Sequence, residues 1–189
     1  NVLHYIGADD IPLAEGSDRP LVRAKDHVNP KLAEFRRHTG AIENGAHGVT
    51  GLDGFTFPDK NPKKPIEIRA VEAMAKVLRE SKEKVTLIPT GPLTNVALLI
   101  RCYPDLVNKI EKISMMGGTS EFVFTRPYME FNTFVDPEAT KIVFESGIPI
   151  DMYGYDVTYK VLCGEKTLRK MEALENQSGK MASTLLRFF

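Results

Sequence analysis

Three short runs and one histidine hold the residues best suited to chemistry on a small polar ligand. Glu130-Phe131-Asn132 sets a carboxylate and an amide two positions apart. In an extended segment that spacing puts both side chains on one face. A carboxylate accepts hydrogen bonds and an amide both donates and accepts, so the pair could grip the vicinal hydroxyls of a sugar. The same run also reads as a solvated loop leading to a helix, with Asp136 as its N-cap. Pro89-Thr90-Gly91-Pro92-Leu93-Thr94-Asn95 offers the Thr90 carbonyl or hydroxyl. A hard cation such as Ca2+ takes backbone carbonyls as ligands. Read more plainly, the run is a strand-to-helix turn with a capping threonine. Met115-Met116-Gly117-Gly118-Thr119 is either a pair of core methionines and a turn, or a place where two glycines let a backbone N–H reach a ligand. His47 lies in Asn44 to Gly54, where four of eleven residues are glycine. An imidazole titrating near pH 6.5 could donate a proton there, although a lone histidine is more often structural or solvated.

The elements that must position these groups alternate along the chain. Ile68, Val71, Ala75 and Leu78 recur at spacings of three and four, which predicts an amphipathic helix over 66–79. Val85 to Thr90 reads as a buried strand, followed by a helix running towards Tyr103 that Pro104 interrupts. Lys112 to Met116 reads as a second strand ending at Gly117-Gly118. A helix over 136–146, a strand over 148–152 and two C-terminal helices follow. Upstream, the first 65 residues lack sustained periodicity: Ile11 to Leu13 reads as a short strand and Pro58 to Pro65 as an exposed connection. Strand, helix, strand, helix with short connections predicts an α/β fold. The expectation is one domain over residues 1–189, a mostly parallel sheet flanked by helices, with right-handed crossovers. Ligands of such sheets bind beyond the carboxyl ends of the strands, which is where these polar runs fall.

Composition removes several function classes. Lys plus Arg and Asp plus Glu both number 25, so no basic excess exists to bind a nucleic-acid backbone. The longest apolar stretches, such as Val96 to Ile100, are too short to span a bilayer. No charged start followed by an apolar run marks a signal peptide. Cys102 and Cys163 lie far apart in no CxxC pattern, which points to a reducing, cytoplasmic setting and to neither a zinc site nor a disulfide framework. No GxGxxG or GxxxxGK[ST] follows a strand, which disfavours an unrelated nucleotide-binding domain. A start on Asn1 and an apolar close at Leu185-Leu186-Arg187-Phe188-Phe189 read as a fragment, cut at a helix before its packing partner.

The ordered set Thr90-Gly91-Pro92-Leu93-Thr94-Asn95, Met116-Gly117-Gly118, Glu130-Phe131-Asn132 and Asp136-Pro137-Glu138-Ala139 resembles the inosine/uridine-preferring nucleoside hydrolases. Gly16 to Leu21, His47 to Leu52 and Asp156-Val157-Thr158 resemble the same family, so the likeness covers nearly the whole chain. It implies a Rossmann-like α/β domain that hydrolyses the N-glycosidic bond of ribonucleosides, purine or pyrimidine, to ribose and free base. It also implies a resident Ca2+ that activates water and grips the ribose, a place in nucleoside salvage, and a homodimer or homotetramer. By motif position, the Thr90 carbonyl would bind calcium, Glu130 and Asn132 would hold ribose hydroxyls, and the Met116 N–H would line the sugar pocket. His47 matches the family's loop histidine near the nucleoside.

Three departures qualify the likeness. The family's opening Asp-x-Asp-x-Gly-x-Asp-Asp cluster has no counterpart; Asp9-Asp10 follows a helix, lacks the glycine spacing and reads as a surface pair. The family's late His-Asp pair is also missing, so the base and leaving-group residues are expected outside these 189 residues, which alone would be inactive. Phe124 stands where members carry an asparagine for the ribose 5′-hydroxyl. A non-catalytic nucleoside-binding relative is the competing expectation.

Overall fold

The computed structural model describes residues 2–23, 48, 50–58, 63–120, 122–123, 126–127 and 130–189. They divide into two compact units: Ala14–Leu32 with Ile66–Lys160, and Asn1–Leu13 with Ala33–Pro65 and Val161–Phe189.

The first unit is built on a three-stranded, all-parallel sheet in the order β1-β2-β5. Its strands are β1 (Val85–Leu87), β2 (Ile110–Met116) and β5 (Ile150–Tyr153). Two-residue strands β3 (Phe122–Val123) and β4 (Arg126–Pro127) form an antiparallel hairpin between β2 and β5 in the chain. Period-two alternation decides which face is buried. Ile113 and Met115 sit in the core, while Lys112, on the other face, pairs at 2.7 Å with Asp151.

Helices α2 (Ala70–Glu80), α3 (Thr94–Cys102) and α5 (Pro137–Phe144) supply the rest of that core through Ala75, Leu78, Val96, Ala97, Leu99, Ala139 and Val143. Removing one such leucine to alanine typically costs about 2–5 kcal/mol, so this layer fixes the strand ends firmly. Asp136 is fully buried at the start of α5, where it accepts hydrogen bonds from the Ala139 N–H (3.0 Å), the Thr94 hydroxyl (2.7 Å) and the Leu21 N–H (2.9 Å). One carboxylate therefore caps one helix, holds the start of another and fastens an upstream segment. Two residues from Leu21, the Arg23 guanidinium grips the Glu138 carboxylate, with 2.9 Å between Nη2 and Oε1.

The second unit holds α1 (Val2–Tyr5), an edge-to-face aromatic cluster of Tyr5, Phe55 and Phe57, and the helices α7 (Glu165–Glu172) and α8 (Gln177–Phe188). Arg187 of α8 bridges Glu165 and Glu172 of α7 at 2.9 Å each.

The α/β class and the parallel sheet match the expectation from sequence, and several boundaries move. Residues 11–13 form no strand. Helix α2 starts at Ala70, so Ile68 precedes it and Met74 joins Val71 on the inward face. The first strand pairs only over 85–87, because Pro89 and the turn at Thr90-Gly91-Pro92 end it early. Three helices follow β5, not two: α6 (Tyr155–Thr158) precedes α7 and α8. Cys102 and Cys163 are free and exposed, one in each unit.

Candidate active site

The carboxyl ends of β1 and β2 meet the start of a five-residue helix, α4 (Phe131–Val135). The meeting point is Asn132, which is buried. Its side-chain Nδ2 donates to the Met116 carbonyl at 3.0 Å and to the Thr90 carbonyl at 3.3 Å, and lies 3.2 Å from the Met116 sulfur. Both facing groups are carbonyl oxygens, which fixes the amide orientation: the NH2 must point at them. The amide oxygen Oδ1 is left as an acceptor.

Glu130 is the N-cap of α4 and is also buried. Its Oε1 accepts from the Asn132 N–H at 2.9 Å, and its Oε2 from the Gly118 N–H at 2.9 Å and the Thr133 N–H at 3.1 Å. Three backbone donors on one carboxylate hold it in a single position. This replaces the extended segment anticipated for Glu130 and Asn132. The two side chains are brought together by a cap and the first turn of a helix, because the Glu130 carboxylate satisfies the otherwise unpaired N–H groups of that turn.

Thr90 lies past the end of β1 and Met116 is the last residue of β2, as the sequence placed them, with one change of role. The Met116 N–H, expected to face a ligand, donates to the Pro89 carbonyl at 3.1 Å and extends the parallel ladder. What Met116 brings to this place is its carbonyl and thioether. The Thr90 side chain is exposed, and its carbonyl, with a second lone pair beyond the Asn132 contact, remains an oxygen able to meet a cation. His47 and Phe124 lie outside the described residues. Asp9 is exposed and hydrogen-bonded to the His4 ring at 3.0 Å, in keeping with a surface pair.

Among the described residues no group of three His, Cys, Asp or Glu side chains could hold a metal ion. A hard cation such as Ca2+ takes six to eight oxygens, several of them carboxylate. Thr90 and its neighbours therefore fit one edge of such a coordination sphere and not the whole of it.

Sequence reading missed Gly118 as a partner of Glu130 and missed Ser120; it named the Asp156 run only as a family likeness, with no role, and the Ser120 and Asp156 side chains meet at 2.8 Å. The signal available was that Asp156-Val157-Thr158 begins three residues after the end of a strand of the same sheet.

The parallel sheet thus brings a buried carboxylate and a buried amide together at the carboxyl ends of its strands, the end at which sheets of this class bind ligands. The model of the inosine-uridine preferring nucleoside hydrolases matches residues 1–189, and the chain belongs to that family. It is 43% identical over 189 residues to the pyrimidine-specific ribonucleoside hydrolase RihA of Shewanella oneidensis, covering all of this chain and 54% of that protein. The corresponding protein of Photobacterium profundum is 41% identical over 188 residues, with 56% of it covered. The chain thus spans about half the length of these curated relatives. Among solved structures, the purine-preferring ribonucleoside hydrolase from Gardnerella vaginalis superposes with a TM-score of 0.82 at 26% identity, over 99% of this chain and 56% of that one. The plant nucleoside hydrolase PpNRh1 gives 0.81 at 28% identity, over 99% and 55%.

Proposed function

We propose that the protein hydrolyses the N-glycosidic bond of ribonucleosides to ribose and free base, and that this chain carries the sugar-gripping centre. The observation that supports this best is the convergence of Thr90, Met116 and Glu130 on Asn132 at the carboxyl end of the sheet. Departure of the base leaves positive charge on the ribose ring. A fixed carboxylate and oriented carbonyl oxygens next to the sugar favour that charge over the neutral ground state. Asn132 would accept a hydrogen bond from a ribose hydroxyl through Oδ1, and Glu130 would hold Asn132 and the Gly118 loop in the geometry that lets it do so.

The cofactor in this reading is Ca2+, with the Thr90 carbonyl among its ligands. Such a cation supplies a bound water of lowered pKa. The preferred substrates are pyrimidine ribonucleosides, a reading favoured by the names of the curated relatives at 40–43% identity. The assembly is a homodimer or homotetramer.

The test is ribose release by the full-length protein from uridine, cytidine, inosine and adenosine, with and without a calcium chelator. Uridine and cytidine are expected to be cleaved faster than the purines, with activity lost to the chelator and restored by Ca2+. Asn132→Ala is expected to lower kcat/KM on the order of a hundredfold, as loss of one oriented polar contact does in comparable sites. Uridine binding with no ribose release would sink the hydrolase reading in favour of a nucleoside-binding protein. Faster cleavage of the purines would overturn the base preference alone.

A further inference from the structure

The Asp156-Val157-Thr158 run sits apart from the groups that face the sugar site, yet its carboxylate closes a chain of contacts that ends there. Asp156 Oδ2 accepts from the Ser120 hydroxyl at 2.8 Å, and Oδ1 from the Ser120 N–H at 3.4 Å. The Ser120 hydroxyl holds the Asp156 carboxyl below the usual carboxylate range, as expected of a hydrogen bond to the charged form. Two residues back, the Gly118 carbonyl accepts from the Tyr155 N–H at 2.9 Å. The other side of that residue, the Gly118 N–H, is the donor to Glu130 Oε2. The loop over 117–120 is therefore gripped by the start of α6 on one side and by Glu130 on the other.

Close approach makes this grip possible. A Cβ built on buried Gly154 would meet Asp156 Oδ1 at 2.5 Å and the Gly118 carbonyl oxygen at 3.3 Å. A Cβ there would displace the Asp156 carboxylate from its present position and crowd the Gly118 carbonyl.

We propose that Asp156 is a positioning residue: through Ser120 it seats the loop over 117–120 so that Gly118 can hold the Glu130 carboxylate in place for ribose binding. The proposal rests on reading Glu130 and Asn132 as the sugar site. Releasing Ser120 lets the loop sample positions in which Gly118 no longer meets Glu130. Substrate binds only the seated fraction, so apparent affinity falls in proportion to it, while the bound complex, once formed, reacts normally.

The experiment compares wild type, Asp156→Ala, Ser120→Ala, the double variant and Asp156→Asn in the full-length protein. Two charge-assisted contacts are lost in Asp156→Ala, and KM for the best nucleoside is expected to rise about tenfold with kcat within about twofold. Ser120→Ala is expected to do the same and the double variant to be no worse than either, since the two side chains act as one unit. Asp156→Asn keeps an acceptor oxygen for Ser120 and is expected to recover most of the loss. Hydrogen exchange of the amides of residues 117–120 gives a readout independent of catalysis, and it should accelerate in both alanine variants. Unchanged KM in an active Asp156→Ala, additive effects in the double variant, or unchanged loop exchange would each overturn the proposal. Absence of ribose release by wild type would instead remove the hydrolase reading, and loop exchange would still decide whether Asp156 seats the loop.

Discussion

The Asn132 amide faces two carbonyl oxygens, and that fact alone orders its substitutions. In Asn132→Ala the Thr90 and Met116 carbonyls lose a donor, but neither meets a new repulsion. In Asn132→Asp an oxygen replaces the NH2 and is pressed against both carbonyls in a buried place. Leaving buried polar groups unpaired costs about 1–3 kcal/mol, and more where a charge is involved. Asn132→Asp is therefore expected to be the less stable of the two despite the closer similarity in size, by about 1–2 kcal/mol, checked by urea denaturation of the pair. An aspartate variant as stable as the alanine would mean that the amide does not face these carbonyls. Thr90, Met116, Glu130 and Asn132 were each singled out in the sequence as part of a polar or glycine-rich run, and the structure brings these four together. Sequence reading could not foresee the helix cap, because Glu130-Phe131-Asn132 suits a strand or a helix start equally well by spacing. The contacts that decide the matter come from Gly118, twelve residues away.

At the scale of elements, the α7–α8 hairpin of the second unit depends on one close backbone approach and one charge cluster. Asn176 caps α8 through the Gly179 N–H at 2.7 Å, and a Cβ on Gly179 would meet the Met171 carbonyl oxygen of α7 at 2.3 Å. Gly179→Ala cannot be accommodated without moving the two helices apart. It is expected to cost about 1–3 kcal/mol, against the usual helix-favouring effect of alanine, and thermal denaturation checks the sign. Glu165 meets both Arg187 and Arg169, and its carboxyl is pulled down to about 2 by these guanidinium partners, Arg187 first. A carboxyl whose folded pKa lies below its unfolded value stabilises fully above the unfolded value of 4.5 and loses that contribution as pH falls towards about 2. The hairpin is thus expected to loosen between pH 4.5 and 2, more gently at high salt, and Glu165→Gln should flatten that dependence in circular dichroism titrations. A variant whose acid response equals that of wild type would refute the assignment. The three-and-four spacing made α2 visible in sequence to within a turn, whereas the four-residue α6 is a single turn and too short to show any periodicity.

At the scale of the whole molecule, the sheet class was legible because buried parallel strands leave short apolar runs separated by helical periodicity. The division into two compact units was not, because the second is assembled from three stretches distant in sequence, and only its boundary at Pro65 coincides with a change of texture along the chain. Nor could spacing show that Asp136 joins three segments, since its bonds to Thr94 and Leu21 cross 42 and 115 residues. Such links are decided by packing and leave only a local trace, here the Asp-Pro start of α5.

The two exposed thiols offer a practical handle on this arrangement. Cys102 ends α3 in one unit and Cys163 precedes α7 in the other, and both are exposed. A maleimide reagent can therefore reach both without unfolding the chain. A donor and acceptor dye placed on this natural pair would report the separation of the two units in solution, and its change with nucleoside, with no engineered cysteine at all.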